Sequence, residues 1–173
     1  MNYADIKKVD VANGPGVRVS LFVSGCTHHC PECFNPETWD FQFGSPFGEE
    51  QVQTILQALR PSHIRGLSLL GGEPFEPENQ FPVLELARRV RRELPGKDIW
   101  CYSGYLFEDL AAGRIGSHSR ALLEQLDMLV DGPFLIAQKN LGLRFRGSEN
   151  QRILRVGPSL AQGRAVLWED EPE

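Results

Sequence analysis

Three cysteines fall within one short run, Cys26-Thr-His-His-Cys30-Pro-Glu-Cys33, with C-x3-C-x2-C spacing, and the fourth, Cys101, stands far from them. A secreted disulfide framework would spread its cysteines out, so this clustering favours a metal site in a reducing compartment. Three thiolates on one tight loop can hold three irons of a cubane cluster and leave the fourth iron without a protein ligand, open to a substrate or cofactor. The competing chemistry is structural zinc, with Cys26, Cys30 and Cys33 completed to a tetrahedron by His28 or His29. Zinc sites more usually pair two knuckles far apart in sequence, and there is no second knuckle here. Ligand spacing therefore leans toward iron-sulfur while leaving zinc open.

The elements around this loop set where it sits. Asn13-Gly-Pro-Gly16 is a turn signal, and after it Val17, Val19, Leu21 and Val23 alternate with Arg18, Ser20 and Phe22 as in a strand, with the cysteine loop opening directly behind. Val52, Ile55, Leu56 and Leu59 recur at helical spacing, and Gly66 to Leu70 reads as a buried strand ending in Gly71-Gly72-Glu73-Pro74. Val83, Leu86, Ala87, Val90 and Leu94 make a second helical stripe, stopped by Pro95-Gly96, before a strand from Ile99 to Tyr102 that ends in Ser103-Gly104. A helix around Ala121 to Leu126 leads to Met128-Leu129-Val130 and then Asp131-Gly132-Pro133. Beyond Asp131 the pattern weakens, with strands expected at Arg152 to Val156 and Ala165 to Trp168.

Alternating strands and helices predict a parallel α/β architecture, because parallel neighbours need crossovers, and its candidate loops all follow strand C-termini. A complete eight-unit barrel takes about 250 residues, more than the 173 here. The expectation is an incomplete, mostly parallel curved sheet of five or six units, a partial (βα) barrel, with an open side that a partner covers to exclude water.

With 41% hydrophobic and 24% charged residues, the chain suits one domain spanning 1–173. A net charge of -5 argues against nucleic acid as the main partner. No apolar run is long enough to cross a bilayer, so a soluble cytoplasmic protein without membrane attachment is expected. Arg88, Arg89, Arg91 and Arg92 read as a solvated helix face.

C-x3-C-x2-C after one strand and Gly71-Gly72-Glu73-Pro74 after the next resemble the radical S-adenosylmethionine superfamily. Within it, the chain resembles the activating proteins of anaerobic ribonucleotide reductase. The matching stretches are Asn13-Gly-Pro-Gly-Val-Arg-Val-Ser-Leu-Phe-Val-Ser-Gly-Cys26, Cys33-Phe-Asn35 with Thr38-Trp-Asp40, Tyr102-Ser-Gly104, Asp131-Gly-Pro-Phe134, and Arg146-Gly-Ser148 with Asn150-Gln-Arg152. The resemblance implies a partial (βα) barrel of radical S-adenosylmethionine type and one 4Fe-4S cluster on Cys26, Cys30 and Cys33. It also implies reductive cleavage of S-adenosylmethionine to a 5′-deoxyadenosyl radical, which takes a hydrogen atom from a glycine of the reductase's catalytic subunit. The implied electron donor is a reduced flavodoxin or a similar protein. In the superfamily the methionyl amine and carboxylate chelate the open iron, and the loop matching Gly71, Gly72 and Glu73 binds the amine; glycines expose backbone at close range and Glu73 can pair with an ammonium. Many members place an aromatic before the third cysteine where this sequence has Glu32, so the segment Glu32, Cys33 and Phe34 is carried over as the adenosine-side contact, through a side chain or through the backbone.

Ser103 and Asp131 follow strands and could meet the adenosyl ribose or a cation, or could be strand-end turn residues. Cys101 is expected to be a buried inert thiol, and His28 and His29 to line the site or tune its charge. Arg144, Arg146 and Arg152 suit partner contact or plain surface charge, and Trp39 with Phe41 and Phe43 suits packing over the cysteine loop. Two other functions compete: a small-molecule enzyme of the deazaguanine-forming branch, whose glycine turn and cysteine loop look similar, and a zinc-stabilised binding module. Asp131-Gly-Pro-Phe134 and Arg146-Gly-Ser148 favour the activating protein over the first; colour and charge-transfer absorption would separate the second.

Overall fold

Residues Asn2–Asp10 form β1, which turns through the glycine-rich segment into β2 (Val17–Val23) and pairs with it antiparallel. The turn needs glycine: Gly14 and Gly16 have φ of 120° and 77°. This computed structural model describes residues 1–169, so positions 170–173 of the expected domain lie outside the described residues. A two-residue strand β3 (Ser45–Pro46) pairs with the outer side of β1. Then come α1 (Glu49–Leu59), β4 (Ile64–Gly71), α2 (Pro77–Glu93) and β5 (Asp98–Ser103). Short helices α3 (Phe107–Ala111) and α4 (Ser119–Glu124) lead to β6 (Met128–Asp131), and β7 (Arg152–Arg155) runs straight into α5 (Val156–Gln162).

The sheet order is β3-β1-β2-β4-β5-β6-β7. Its centre is parallel, β2 to β4 to β5 to β6, and both flanks are antiparallel. The parallel repeat therefore stops at four strands, short of the five or six units expected, and the sheet is not closed. The reason is local. The tight turn before β2 forces a hairpin with β1, and the long segment between β6 and β7 returns the chain in the opposite sense. The expected strand at 165–168 is reduced to a bridge between Leu167 and Leu154.

Strand alternation divides the residues between two faces. Val19, Leu21, Leu67, Leu69, Ile99 and Leu129 join one core with the apolar stripes of α1 and α2, each such side chain contributing about 1.5–3 kcal/mol of burial. Phe22, Leu70, Tyr102 and Val130 face a cleft on the other side. Helix ends are specified conventionally: Gln51 Oε1 accepts the Gly48 N–H at 2.8 Å before α1, and Pro77 opens α2 while Arg91 and Arg92 occupy its last turn. The helical stripe starting at Val83 understated α2, which begins six residues earlier and includes Pro82.

Arg18 is fully buried on the cleft face. Its guanidinium donates to Ser68 Oγ at 2.7 Å, to the Pro15 and Leu67 carbonyls at 3.1 Å, and to the Asp98 carboxylate, riveting β2, β4 and β5 together at their N-terminal ends. The opposite, C-terminal ends are thereby free to carry loops.

Candidate active site

Val23 and Gly71 are paired across the parallel β2–β4 ladder, so the cysteine loop and the Gly-Gly-Glu loop leave the sheet side by side. Backbone bonds weld them: Gly72 N–H to Val23 O and Glu73 N–H to Gly25 O, both 2.8 Å. Behind the loop, the 3-10 turn Pro36–Trp39 accepts from Gly25 N–H through Thr38 O and from Cys26 N–H through Trp39 O. A Cβ on Gly72 would stand 2.6 Å from Gly25 O and 2.8 Å from Thr38 O. The glycine at position 72 is thus demanded by the close packing of these backbones.

Three side chains at three-residue spacing hold the loop from the start of α2. Glu73 is 1% exposed; its Oε1 accepts from His28 Nε2 at 2.8 Å and from Gly104 N–H at 2.7 Å, and its Oε2 from Phe75 N–H at 2.9 Å. Glu76 Oε1 accepts from both the N–H and the Oγ–H of Thr27, at 2.8 and 2.6 Å. Asn79 Nδ2 donates to the carbonyls of Ser24 and Glu73, each at 3.0 Å. Residues 24, 27 and 28, which bracket Cys26, are therefore fixed by one helix entrance.

The loops open onto a cleft of about 700 Å³, within the usual range of about 300–1,000 Å³ for ligand sites. Cys26, Cys30, Cys33, Phe34, Gly71, Gly72, Glu73 and Ser103 all line it, and the segment 140–147 forms the facing wall with Leu141, Leu143, Phe145 and Arg146. All four cysteines are free thiols. Among the described residues no three or more His, Cys, Asp or Glu side chains are gathered closely enough to hold a single metal ion; the three loop thiols line a hollow instead. Burial pushes Cys26 up to about 12, with the charges of Glu73 and Glu76 acting in the same direction, and burial also raises Cys30. Such thiols ionise when a cationic centre takes the proton's place. Three soft sulfur donors on one wall, with carboxylates behind them, fit an iron-sulfur cluster.

His28 lines the cleft with its ring edge against Tyr105, centroids 4.4 Å apart. Burial alone would lower its pKa, but the hydrogen bond and charge of Glu73, with Glu76 beyond, outweigh burial and raise it. His29 stacks on Trp39 at 4.5 Å, and Phe41 packs where a side chain on Gly25 would lie.

Two expected contacts fall outside the cleft. Glu32 is exposed, with φ of 59°, and only Cys33 and Phe34 of its segment face inward. Asp131 is fully buried and bound instead to Arg152, with Nε at 2.9 Å from Oδ1 and Nη2 at 2.5 Å from Oδ2, and it accepts the Phe107 N–H at 2.8 Å. A carboxylate so occupied braces β6 against β7 and α3. Arg152 also pairs with Glu108, and Arg146 caps the carbonyls of Glu149 and Gln151. Cys101 is buried in the helix-side core. Sequence reasoning missed Glu76 and Asn79. Their signal was Glu-x-x-Glu-x-x-Asn at the start of a helix, which only tertiary contact distinguishes from an ordinary first turn.

A family model described as a 4Fe-4S single cluster domain matches residues 12–154. An anaerobic ribonucleoside-triphosphate reductase-activating protein of Vibrio cholerae is 45% identical over 157 residues, covering 90% of this chain and 98% of that protein. The proteins of that name from Escherichia coli K12 and Enterobacteria phage T4 are 42% and 39% identical over 155 residues, covering 88% of this chain and 97% and 93% of theirs. Identity at this level along nearly the whole length of each relative, with the cysteine loop and the Gly-Gly-Glu loop sharing one cleft, means that the chain belongs to the family of anaerobic ribonucleoside-triphosphate reductase-activating proteins.

Proposed function

We infer that the protein is an activase that makes a glycyl radical on an anaerobic ribonucleotide reductase. The observation that carries this reading is the Val23–Gly71 pairing, which brings a three-cysteine loop and a Gly-Gly-Glu loop into the same cleft. A 4Fe-4S cluster with S-adenosylmethionine supplies one-electron cleavage of the sulfonium, giving methionine and a carbon radical that takes a hydrogen atom from the reductase glycine.

The chain's own residues bind and orient. Cys26, Cys30 and Cys33 would hold the cluster through three of its irons and leave the fourth for the methionyl group. A carboxylate offers about four lone-pair positions, and Glu73 uses three on protein donors, leaving one for the methionyl ammonium beside the Gly71-Gly72 backbone. Cys33 and Phe34 would flank the adenosine, and Ser103 lines the same cleft. The apolar walls of Phe22, Leu70, Leu141 and Leu143 keep water from the radical. In this reading the open sheet is a partial (βα) barrel of radical S-adenosylmethionine type, the reductase's catalytic subunit covers the cleft, and a reduced flavodoxin or similar donor delivers the electron in the cytoplasm. Neither nucleic acid nor a membrane takes part. No helix among the described residues is long and apolar enough to cross a membrane.

The test is to mix reduced, anaerobically prepared protein with S-adenosylmethionine and the candidate reductase and to record an electron paramagnetic resonance spectrum. A glycyl radical doublet is expected. A colourless zinc protein, or a cluster-loaded protein that leaves the reductase silent, overturns the reading.

A further inference from the structure

We propose that Glu76 is a positioning residue for the cysteine loop whose unpaired negative charge also holds the reduction potential of the cluster low. The inference rests on the reading above, in that it requires a cluster on Cys26, Cys30 and Cys33.

The geometry distinguishes Glu76 from its neighbour. Glu73 is answered by His28, a side chain that can carry positive charge. Glu76 is 4% exposed, and its carboxylate accepts from the amide and hydroxyl of Thr27, both neutral. Among the described residues it makes no ion pair. Two donors on one oxygen suit a carboxylate, and Glu76 stands at the N-cap position of the 17-residue helix α2. A buried charge with no ion-pair partner of its own acts through a low effective dielectric, so its field reaches further than a surface charge would.

That charge sits behind Thr27, the residue directly following Cys26. Cluster potentials respond to net charge, hydrogen bonding and exposure at the site. Reduction adds an electron, so a fixed negative charge nearby disfavours the reduced form and makes the electron a stronger reductant once it is in place. A sulfonium is hard to reduce, and a strong reductant is what its cleavage demands. The same carboxylate also locks Thr27 in place, so clamp and charge are served by one side chain and must be separated by substitution.

Glu76→Gln keeps an oxygen acceptor for Thr27 and removes the charge. Anaerobically reconstituted wild type and variant would be compared for iron and sulfide per chain and for midpoint potential by dye-mediated titration. The expected result is wild-type iron and sulfide with a less negative potential in Glu76→Gln. Unchanged potential at full cluster content overturns the proposal and leaves the activase reading intact. Should Glu76→Gln fail to fold, Glu76→Asp and Glu76→Ala both shorten the side chain and release the clamp, while only Asp keeps the charge. Both should lose iron faster to a chelator than wild type, and the remaining cluster should titrate at a more negative potential in the Asp variant than in the Ala variant. Equal potentials in that pair, or wild-type iron retention in both, contradict the assignment. Wild type that holds zinc and no sulfide removes the cluster reading, and this proposal with it.

Discussion

His28 Nε2 lies 2.8 Å from Glu73 Oε1, and through that contact the loop bearing the three cysteines is tied to the end of β4. His28→Ala leaves a carboxylate that is 1% exposed with two backbone donors and an empty site where the ring stood. Losing one partner of a buried charged group costs about 1–3 kcal/mol. The expected outcome is a lower denaturant midpoint together with weaker S-adenosylmethionine binding, read by equilibrium unfolding and by calorimetry on the same preparation. Weaker binding with unchanged stability would mean that the imidazole touches the ligand rather than the fold.

Cys26→Ala, Cys30→Ala and Cys33→Ala should each abolish cleavage of S-adenosylmethionine, measured as 5′-deoxyadenosine released under dithionite. Cys101→Ala should retain cleavage, since that thiol packs in the helix-side core and does not line the cleft. Its cost should be confined to stability, at about 1 kcal/mol for the buried atom removed. Cleavage surviving in Cys30→Ala would contradict the ligand set.

Arg152→Ala strands Asp131, which is wholly buried, with the Phe107 amide as its remaining partner. Breaking such a pair costs about 3 kcal/mol or more, so the melting temperature should fall by on the order of 10 °C in a chain of this size. Below the transition, affinity for S-adenosylmethionine should match wild type, because Asp131 stands outside the cleft. A selective loss of affinity in Asp131→Asn would give Asp131 a ligand role instead.

Acid should weaken the fold partly through Asp10. Burial would raise this carboxyl, but hydrogen bonds from Ser20, Asn13 and the Ala12 amide, helped by Lys7, outweigh burial and hold it below the ordinary carboxylate range. Its folded pKa being depressed, the stabilisation is complete above the unfolded value of about 3.9 and is lost as pH falls through the folded value. Asp10→Asn should therefore be less stable by about 1–2 kcal/mol at pH 7 and show a shallower loss of stability below pH ~4 in urea titrations. An identical acid limb in the two proteins would exclude Asp10 as a contributor.

The four parallel strands were legible because each is a short apolar run ended by a loop signal, and the site loops because cysteine spacing and a double glycine are rare enough to carry meaning. β1 was not legible: Lys7 and Lys8 mask its alternation, and it becomes a strand by pairing with β2. Arg18 was legible as a strand residue but its buried role was not, because its partners lie about 50 and 80 positions away, in Ser68 and Asp98. Asp131 was left open between two roles for the same reason. A carboxylate at a strand end can serve a ligand or an arginine, and nothing near it in sequence announces Arg152. Glu32 was carried over with its segment from the resemblance, the contact being left to side chain or backbone, and its left-handed backbone turns the side chain out to solvent.

The alternation of β5 has a consequence for the lifetime of the reactive species. Trp100 and Tyr102 share one face of that strand, and Cys101 between them points into the apolar layer beneath the helices. A thiol is among the best quenchers of carbon-centred radicals, because its S–H bond is weak. A slip of one residue in β5 would turn that sulfhydryl into the cleft proposed for S-adenosylmethionine cleavage, where it would end the turnover in an unproductive side reaction. The pleat of a single strand thus works as insulation, keeping the fourth sulfur out of reach of the chemistry the other three make possible.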